Sequence, residues 1–355
     1  MNLPLRNIFL KLKQEKLDGL IVSLPANISY LTNFISRDAY FLVSKKRNVY
    51  FTDSRYTEEA RLGLFGAATV KKFNGSVFKL IADTLQELKL KRVGFEERYL
   101  PFAEHKKIRE ELAKKIELIP THSLIEGLRK IKSELELEKI AKAAEITILA
   151  LKFIRKFIRP GKKEIEVAAE IERFIRYNDA LGTAFEIIVA AGANASFPHH
   201  RTSERRIKNH EPVLIDVGVD YLGYKSDLTR VFFLGKITSI FKRTYDIVLA
   251  AQARAIAAIR PGVAINKIDR LARQYIAENG YGAFFGHGLG HGIGLEVHEE
   301  PHLCAKNNQR LAKGMVFTVE PAIYLPRRFG IRIEDMVLVT REGAKVLSDD
   351  LDKSI

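Results

Sequence analysis

Two carboxylates lie symmetrically within an apolar segment of the chain. In VLIDVGVDYLGYKSDLTRVFF, residues 213–233, Asp216 and Asp227 are equidistant from the turn-forming residues 220–223. A regular antiparallel hairpin with this centre places both side chains on one face, opposite each other, with Cβ atoms about 5 Å apart. The pattern therefore predicts a facing pair of acids.

A second apolar segment, MVFTVEPAIYLPRRFGIRIEDMVLV at residues 315–339, repeats this arrangement. It turns near 326–330, and Glu320 and Glu334 are equidistant from Arg327. A single acid in such a segment is usually solvated or caps a helix. Two symmetric pairs among apolar neighbours instead imply buried like charges, which destabilise a sheet. A bound cation removes this conflict, so the two hairpins predict a metal site.

Histidines recur in a glycine-rich loop between the hairpins. His287, His291 and His298 belong to GHGLGHGIGLEVHEEPH, residues 286–302. Its glycines permit positive φ and close approach of the backbone. A single histidine is usually an ordinary surface or core residue, but three in one such loop indicate a functional site.

The same loop matches the zinc-protease pattern H-E-x-x-H at His298 and His302. That pattern binds zinc only when a helix places both histidines on one face. Pro301 falls inside the required turn, where proline disfavours a helix. The acidic hairpins therefore remain the better prediction of the metal site.

These motifs carry a family resemblance. The segments DVGVDYLGYKSDLTR, GHGIGLEVHEEP, KGMVFTVEPAIYLP and GIRIEDMVLVT resemble the proline peptidases of the pita-bread metallopeptidase family. That family contains Xaa-Pro aminopeptidases and Xaa-Pro dipeptidases, with methionine aminopeptidases more distant. The resemblance spans residues 126–355. YFTDSRYTEEA, residues 50–60, resembles the creatinase-like amino-terminal domain of the same enzymes.

The resemblance implies a pair of divalent metal ions and a role for each motif. Mn²⁺ is expected first, with Co²⁺, Fe²⁺ or Zn²⁺ as alternatives, because an oxygen-rich ligand set suits hard cations. The implied metal ligands are Asp216, Asp227, His291, Glu320 and Glu334. The residues implied to contact or surround the substrate are His199 of FPHHR, His287, His298 and Arg332. His200 receives no role.

The resemblance also implies a hydrolytic mechanism without a serine or cysteine nucleophile. The ions lower the pKa of a water molecule and polarise the scissile carbonyl. Glu320 takes the proton of the attacking water and passes it to the leaving proline nitrogen. His298 and His199 stabilise the oxyanion, and His287 and Arg332 contact the substrate.

The sequence favours an Xaa-Pro aminopeptidase, with an Xaa-Pro dipeptidase (prolidase) as the alternative. The context GIRIED at 330–335 has the proline-peptidase form, and methionine aminopeptidases usually lack an amino-terminal domain of this kind. Two further classes are an amidinohydrolase and a non-catalytic binding protein of the same fold. Some amidinohydrolases of this fold lack the metals, and a binding protein would typically have lost ligands, whereas this chain has the complete set.

The length of 355 residues predicts two domains. Residues 1–125 alternate helix and strand patterns, which predicts a smaller α/β domain. Its predicted helices are an opening helix to about Lys16 and helices at 54–63, 76–90 and 101–115. Its predicted strands lie at 19–24, 40–44, 49–52, 68–73 and 92–95.

Residues 126–355 are predicted to form the catalytic domain, beginning with a long helix in 126–157. Arg159-Pro160-Gly161 and Arg260-Pro261-Gly262 each open a helical pattern, and each pattern is followed by a loop with Gly and His and then by an apolar hairpin. This repeat predicts two similar halves. The expected class is α+β, with a pita-bread fold after the smaller amino-terminal domain.

Composition narrows the setting in which the protein works. The net charge of +15 is spread along the chain, so a nucleic-acid role is not favoured. The amino-terminal segment lacks an uninterrupted apolar stretch, no segment has the length of a membrane span, and Cys304 is the only cysteine. We therefore expect a cytoplasmic homodimer that acts on proline-containing peptides, the dimer being implied by the family resemblance.

Overall fold

The computed structural model describes residues 3–113 and 115–354. Two compact units are present, Met1–Arg129 and Lys130–Ile355. The first unit therefore includes the four-residue helix that follows the predicted boundary at 125/126. Met1, Asn2 and Lys114, which the predicted helices include, lie outside the described residues.

The first unit is an α/β domain built on one sheet. Its helices are α1 Leu3–Gln14, α2 Pro25–Thr32, α3 Thr57–Gly63, α4 Val77–Glu87, α5 Phe102–Glu111 and α6 Glu126–Arg129. Its strands are β1 Gly19–Val22, β2 Tyr40–Ser44, β3 Val49–Thr52, β4 Thr69–Lys72, β5 Arg92–Glu96 and β6 Glu117–Thr121. The strand order is β4-β3-β2-β1-β5-β6, in which β2 runs antiparallel to both of its neighbours.

Every predicted element of this unit is present, but α2 and β6 were missed. Helix α2 begins with Pro25 at its first turn, where proline is tolerated because the amide there has no intrahelical partner. Its apolar residues do not form one clear stripe, since most positions of this short helix are buried. The sequence therefore lacks the periodicity that would have indicated it.

The second unit contains two helix pairs and several short sheets. Its helices are α7 Glu134–Phe157, α8 Glu164–Arg176, α9 Ser239–Ala257 and α10 Ile265–Glu278. Its strands are β7 Gly182–Thr183, β8 Ile188–Ala191, β9 Pro212–Val217, β10 Val219–Tyr221, β11 Tyr224–Lys225, β12 Leu228–Phe233, β13 Gly290–Gly292, β14 Glu299–Leu303, β15 Val316–Val319, β16 Ala322–Leu325, β17 Phe329–Arg332, β18 Asp335–Val339 and β19 Ala344–Val346.

The sheets of this unit place each carboxylate hairpin at the centre of a core. Strand β9 lies between β8 and β12, and β15 lies between β13 and β18. Helices α7 and α8 pack with the first of these sheets in one apolar cluster, and α9 and α10 pack with the second hairpin in another. The helical stretch predicted at 126–157 is interrupted after Arg129, and α7 begins at a capping box in which Ser133 and Glu136 satisfy each other's backbone amides.

The two halves share backbone details at their Arg-Pro-Gly segments. Gly161 and Gly262 both have positive φ, 92° and 85°, and each amide donates to a distant carbonyl, that of Ile207 or Leu311, at 2.8 Å. Both segments also form isolated bridges of the same kind two residues later. The internal repeat predicted from the sequence is therefore present in the backbone.

No helix in the described ranges, 3–113 and 115–354, is long and apolar enough to cross a membrane.

Candidate metal centre

The first acidic hairpin has a register different from the predicted one. Asp216 pairs with Thr229, not with Asp227, and Asp227 lies between β11 and β12. The prediction that the two aspartates are direct cross-strand partners is therefore wrong. The turn consists of Leu222 and Gly223, both with positive φ, so its centre lies one residue later than predicted. Because Asp227 precedes Thr229 by two residues, it is a diagonal neighbour of Asp216.

The second hairpin has the predicted register. Val319 pairs with Asp335 in one ladder, and Ala322 pairs with Arg332 in the next. Both pairs are symmetric about Arg327. Glu320 and Glu334 belong to neither ladder, and they occupy opposite positions in the gap between the two.

The glycine-rich loop places His291 between two strands that approach its backbone very closely. A Cβ atom at Gly290 would lie 2.0 Å from the carbonyl oxygen of Thr318, and one at Gly292 would lie 2.2 Å from that of Glu300. Only glycine fits at these contacts. The flanking glycines therefore allow β13 to bring the His291 side chain to the acidic hairpins.

The His291 ring is oriented as a metal ligand requires. Its Nδ1 lies 3.2 Å from the carbonyl oxygen of Gly292, which can only accept, so Nδ1 carries the hydrogen. Nε2 then presents its lone pair 3.4 Å from Glu320 Oε1 and 3.6 Å from Asp227 Oδ2. Burial lowers the pKa of His291 to about 3, so the ring is neutral. Neutral imidazole with an oriented second nitrogen is the usual form of a histidine ligand.

Three of the predicted ligands form a tight cluster. One ligand atom from each of Asp227, His291 and Glu334 lies within 4.8 Å of the other two, and all three residues are buried. Glu320 adjoins this cluster through His291. The structure thus brings four of the five predicted ligands together from both halves of the unit.

The fifth predicted ligand, Asp216, is held by an arginine instead. Arg332 Nη2 donates to Asp216 Oδ2, while its Nη1 donates to the Tyr324 hydroxyl at 2.6 Å. That hydroxyl lies 3.2 Å from Nε2 of His287. His287 and Arg332, predicted to contact substrate, therefore belong to one hydrogen-bonded chain that ends at the carboxylate of Asp216.

Burial and mutual repulsion disfavour the charged forms of these acids. Burial raises the pKa of Asp227 and of Glu334 well above the ordinary values, and their acidic neighbours add to the effect. Burial, with the charge of Asp216 adding to it, raises the pKa of Glu320 to about 8 despite the opposing charge of Arg332. Such crowded acids are typical of functional sites.

The residues present fit a divalent metal pair. Asp216 Oδ1 and Asp227 Oδ1 are buried, and no hydrogen-bond donor of the described residues reaches either. Buried oxygens of this kind are costly unless a cation or a proton satisfies them. Together with the lone pair of His291, they provide a hard, oxygen-rich donor set.

Two cavities, each of about 360 Å³, meet at the aspartates. His199 and His298 line both, together with Asp216 and Asp227. The His298 ring lies edge-on to that of His291, 4.2 Å between centroids. Burial lowers the pKa of His298, with the neighbouring histidines adding to the effect. Both histidines that were predicted to stabilise the oxyanion therefore border the cavities.

Sequence reasoning missed a buried anchor behind His199. The carboxylate of Glu164 is fully buried and accepts hydrogen bonds from His200 Nε2 at 2.9 Å and from the Ser203 hydroxyl at 2.6 Å. It also accepts from the Ala191 amide and the Asn194 side chain. His200, which had no predicted role, therefore fixes the loop that carries His199. An acid at the first turn of α8 reads as an ordinary helix-start residue, so no sequence signal indicated this.

Comparison with known proteins decides the family. The model of metallopeptidase family M24 matches residues 138–341, and the model of the creatinase/prolidase N-terminal domain matches residues 5–131. The chain belongs to metallopeptidase family M24. The M24 match contains all five predicted metal ligands.

Relatives of this M24 peptidase cover almost its entire length. An Xaa-Pro dipeptidase of Pyrococcus horikoshii is 35% identical over 357 residues, which is 98% of this chain and 97% of the relative. The structure of an Xaa-Pro dipeptidase from Bacillus anthracis is 38% identical with a TM-score of 0.93, covering 98% of this chain and 97% of that one. The structure of an X-Pro aminopeptidase from Thermotoga maritima is 35% identical with a TM-score of 0.89, covering 97% and 99%.

These comparisons confirm the resemblance described from the sequence. The M24 peptidase has the predicted creatinase-like amino-terminal domain and the predicted pita-bread catalytic domain. It is a metallopeptidase, and divalent metal ions are implied by its family.

Proposed function

We propose that this M24 peptidase is an Xaa-Pro dipeptidase, which hydrolyses a dipeptide at the bond before its proline. The observation that carries the proposal is the convergence of Asp227, His291, Glu334 and Glu320 in the wall of one cavity. The proline dipeptidases from Pyrococcus and Bacillus, similar over nearly the full length, support the substrate class. The sequence alone had favoured longer peptides, and these relatives favour the alternative.

The metal pair would be held by Asp216, Asp227, His291, Glu320 and Glu334, with Mn²⁺ as the expected ion. When bound, divalent ions lower the pKa of water and polarise the scissile carbonyl. Arg332 Nη2 donates to the Asp216 carboxylate, so Arg332 fixes the position of that ligand. Until cations are present, burial favours the protonated forms of Asp227, Glu320 and Glu334 by raising the pKa of each.

Glu320 is the proposed proton carrier. Burial raises the pKa of its carboxyl group to about 8 in the metal-free structure, and the charge of a bound cation would lower it. A carboxyl group of this kind can take a proton from the attacking water and deliver it to the proline nitrogen. His199 and His298 line the same cavities and can donate hydrogen bonds to the oxyanion.

Selectivity for proline follows from the chemistry of a tertiary amide. The bond before proline has no N–H, so no acceptor is needed for it in the closed site. A secondary amide adds a donor, and burying that donor unsatisfied costs about 1–3 kcal/mol, or roughly ten- to a hundredfold in rate.

A second candidate function is an Xaa-Pro aminopeptidase, which acts on longer peptides. The similarity to the aminopeptidase structure from Thermotoga maritima supports this second candidate. The two candidates differ in whether the carboxylate of the proline is recognised. The expected homodimer and the cytoplasmic location remain predictions from the sequence.

A substrate panel with Mn²⁺ tests the proposal, using Ala-Pro, Ala-Pro-amide, Ala-Pro-Ala, Ala-Ala and Met-Ala-Ala. Ala-Pro-amide differs from Ala-Pro only in the terminal charge, which makes it the matched control. We expect Ala-Pro to exceed Ala-Pro-amide and Ala-Pro-Ala in kcat/KM by about tenfold or more, the value of a lost charged hydrogen bond.

Other outcomes assign the protein differently. Equal rates for Ala-Pro-Ala and Ala-Pro-amide, above that for Ala-Pro, would make it an aminopeptidase. A preference for Met-Ala-Ala would assign it to the methionine branch, and hydrolysis of none would favour a binding protein.

A further inference from the structure

The second hairpin opens at its two glutamates. Strands β15 and β18 pair as far as Val319 and Asp335, and β16 and β17 begin to pair at Ala322 and Arg332. Glu320 and Glu334 lie in the gap, outside both ladders. Between the two ladders the Ile333 amide donates to the Pro321 carbonyl at a long 3.4 Å, while the amides of Glu320 and Glu334 donate away from the partner strand, to the carbonyls of Leu289 and Thr229. Backbone pairing across the gap is therefore weak.

A buried glutamine of helix α9 bridges this gap. The Nε2 atom of Gln252 donates to the carbonyl oxygen of Val319 and to that of Ile333, each at 3.0 Å. These carbonyls belong to the residues directly before Glu320 and Glu334. One carboxamide NH₂ group has two hydrogens, so a single side chain can hold both strands. Gln252 is 1% exposed, and water does not compete for these bonds.

Lys353 sets the orientation of the Gln252 carboxamide by donating to its oxygen. Lys353 Nζ lies 3.1 Å from Gln252 Oε1, and an ammonium group can only donate. The oxygen of the amide therefore faces Lys353 and its NH₂ group faces the two carbonyls. The Tyr245 hydroxyl, also on α9, donates to the Lys353 carbonyl at 2.7 Å, and Lys353 Nζ pairs with Asp335.

We propose that Gln252, oriented by Lys353, is a positioning residue of the metal centre. Together with the long Ile333–Pro321 backbone hydrogen bond, its carboxamide sets the separation of the two strands, and through them the separation of the Glu320 and Glu334 carboxylates. The proposal rests on the proposed two-metal function, because it assigns Gln252 a task only if those glutamates bind metal. A purely structural role in the core would make Gln252 important for folding and leave metal affinity unchanged.

The test compares Gln252→Met with Val248→Ala in the full-length protein. Methionine has a similar volume and no donor. Val248 is a fully buried residue one turn earlier on the same helix, and truncating it weakens packing without touching the gap. The readouts are Mn²⁺ affinity by calorimetry, the visible spectrum of the Co²⁺ form, and the unfolding temperature of the metal-free protein.

We expect Gln252→Met to weaken binding of at least one Mn²⁺ by about ten- to a hundredfold, the usual effect of losing a hydrogen bond that orients a ligand. Its Co²⁺ spectrum should change as well. Val248→Ala should lower the unfolding temperature and keep wild-type affinity and spectrum. Wild-type affinity and spectrum in Gln252→Met would overturn the proposal.

If Gln252→Met does not fold, Lys353→Met and Lys353→Arg provide the test. Arginine can still donate to both Gln252 and Asp335, whereas methionine cannot. Weaker Mn²⁺ binding in Lys353→Met, with affinity retained in Lys353→Arg, supports the proposal, and equal affinities overturn it. If the wild type binds Mn²⁺ but does not hydrolyse Ala-Pro, the proposed function is wrong. The Mn²⁺ affinities of the variants still test the role of Gln252 in that case. If the wild type binds no Mn²⁺, both fail.

Discussion

The two acidic hairpins bring like charges together in different ways. In the first, Asp216 lies within a continuous ladder, Asp227 is its diagonal neighbour, and Arg332 compensates one of the two charges. In the second, Glu320 and Glu334 face each other directly, and the ladder opens where they lie. In the first hairpin, repulsion is reduced because Arg332 compensates Asp216 and because the two aspartates are not directly opposite each other. In the second hairpin, the two glutamates lie where the strands are not paired in a ladder.

This difference has a consequence for the protein without metal. The Asp216 charge is already paired, so removing it leaves Arg332 buried without its partner. Burial raises the pKa of Asp227 and of Glu334, and the charges of neighbouring acids add to the effect. Before any cation binds, Asp216 therefore has a charged partner, whereas the charged forms of the other acids are disfavoured.

The largest expected effect concerns the two aspartates, which should respond with opposite signs. Asp216→Asn should destabilise the metal-free protein by up to about 3–5 kcal/mol, since the buried Arg332 loses the carboxylate to which its Nη2 donates. Asp227→Asn should stabilise it, because a buried acid with a strongly raised pKa is replaced by a neutral isostere. Denaturant unfolding in the presence of a chelator measures both. If both variants changed the free energy of unfolding in the same direction, the proposed difference between Asp216 and Asp227 would be wrong.

The next effect concerns the second hairpin. Glu320→Gln should lower kcat by at least about 10²-fold, the usual value of general acid–base catalysis. Its control is Asp335→Asn, on the opposite face of the adjacent strand, where Asp335 pairs with Arg230 and Lys353. Asp335→Asn should lower the unfolding temperature, and it should lower kcat much less than Glu320→Gln does. Comparable losses of kcat would show that the two acids share a face.

The stability of the metal-free protein should fall between pH 6.5 and about 8. Unfolded Glu320 is ionised throughout this range, whereas the folded state, with a pKa of about 8, retains its proton. The folded state thus binds more protons, and stability decreases as pH rises. His287 and His291, with pKa values lowered to about 4 and about 3, are neutral when folded. Unfolding temperatures measured with a chelator should fall, and Glu320→Gln should flatten the slope. A rising stability would contradict the raised pKa.

The smallest expected effect concerns the turn of the first hairpin. Leu222 has φ of 50° and is 47% exposed. A left-handed conformation is unfavourable for leucine and acceptable for asparagine. Leu222→Asn should therefore stabilise the protein by roughly 0.5–1 kcal/mol, whereas Leu222→Ala, which keeps a Cβ and gains no turn preference, should not. Equal unfolding free energies for the two variants would indicate a different turn.

This turn also explains what the sequence could and could not predict. The second hairpin has the predicted register because its turn is symmetric about Arg327. Counting residues outward from that turn was therefore sufficient to pair Glu320 with Glu334. The first hairpin turns at Leu222-Gly223, with leucine in a conformation that turn rules assign to Asn or Gly. Residue counting therefore placed its centre one position early, although Asp216 and Asp227 still share a face.

The supporting residues of the site left no sequence signal. Gln252 reaches carbonyls 67 and 81 residues away, and Thr229, whose hydroxyl donates to Glu334 at 2.6 Å, contacts a residue 105 positions away. Neither residue belongs to a spacing pattern, because only tertiary packing brings them to the metal ligands. The acids proposed as ligands could be singled out in the sequence because acids in apolar strands break an expected pattern.

Calorimetric titration of chelator-treated protein with Mn²⁺ tests the central claim most directly, namely that both hairpins and His291 form one site for two ions. We expect two Mn²⁺ per chain in the wild type, with release of protons from the raised-pKa acids, and a lower stoichiometry or affinity in Asp227→Asn and Glu334→Gln. Binding of no Mn²⁺, or hydrolysis of Ala-Pro at the full rate by protein verified as metal-free, would contradict it.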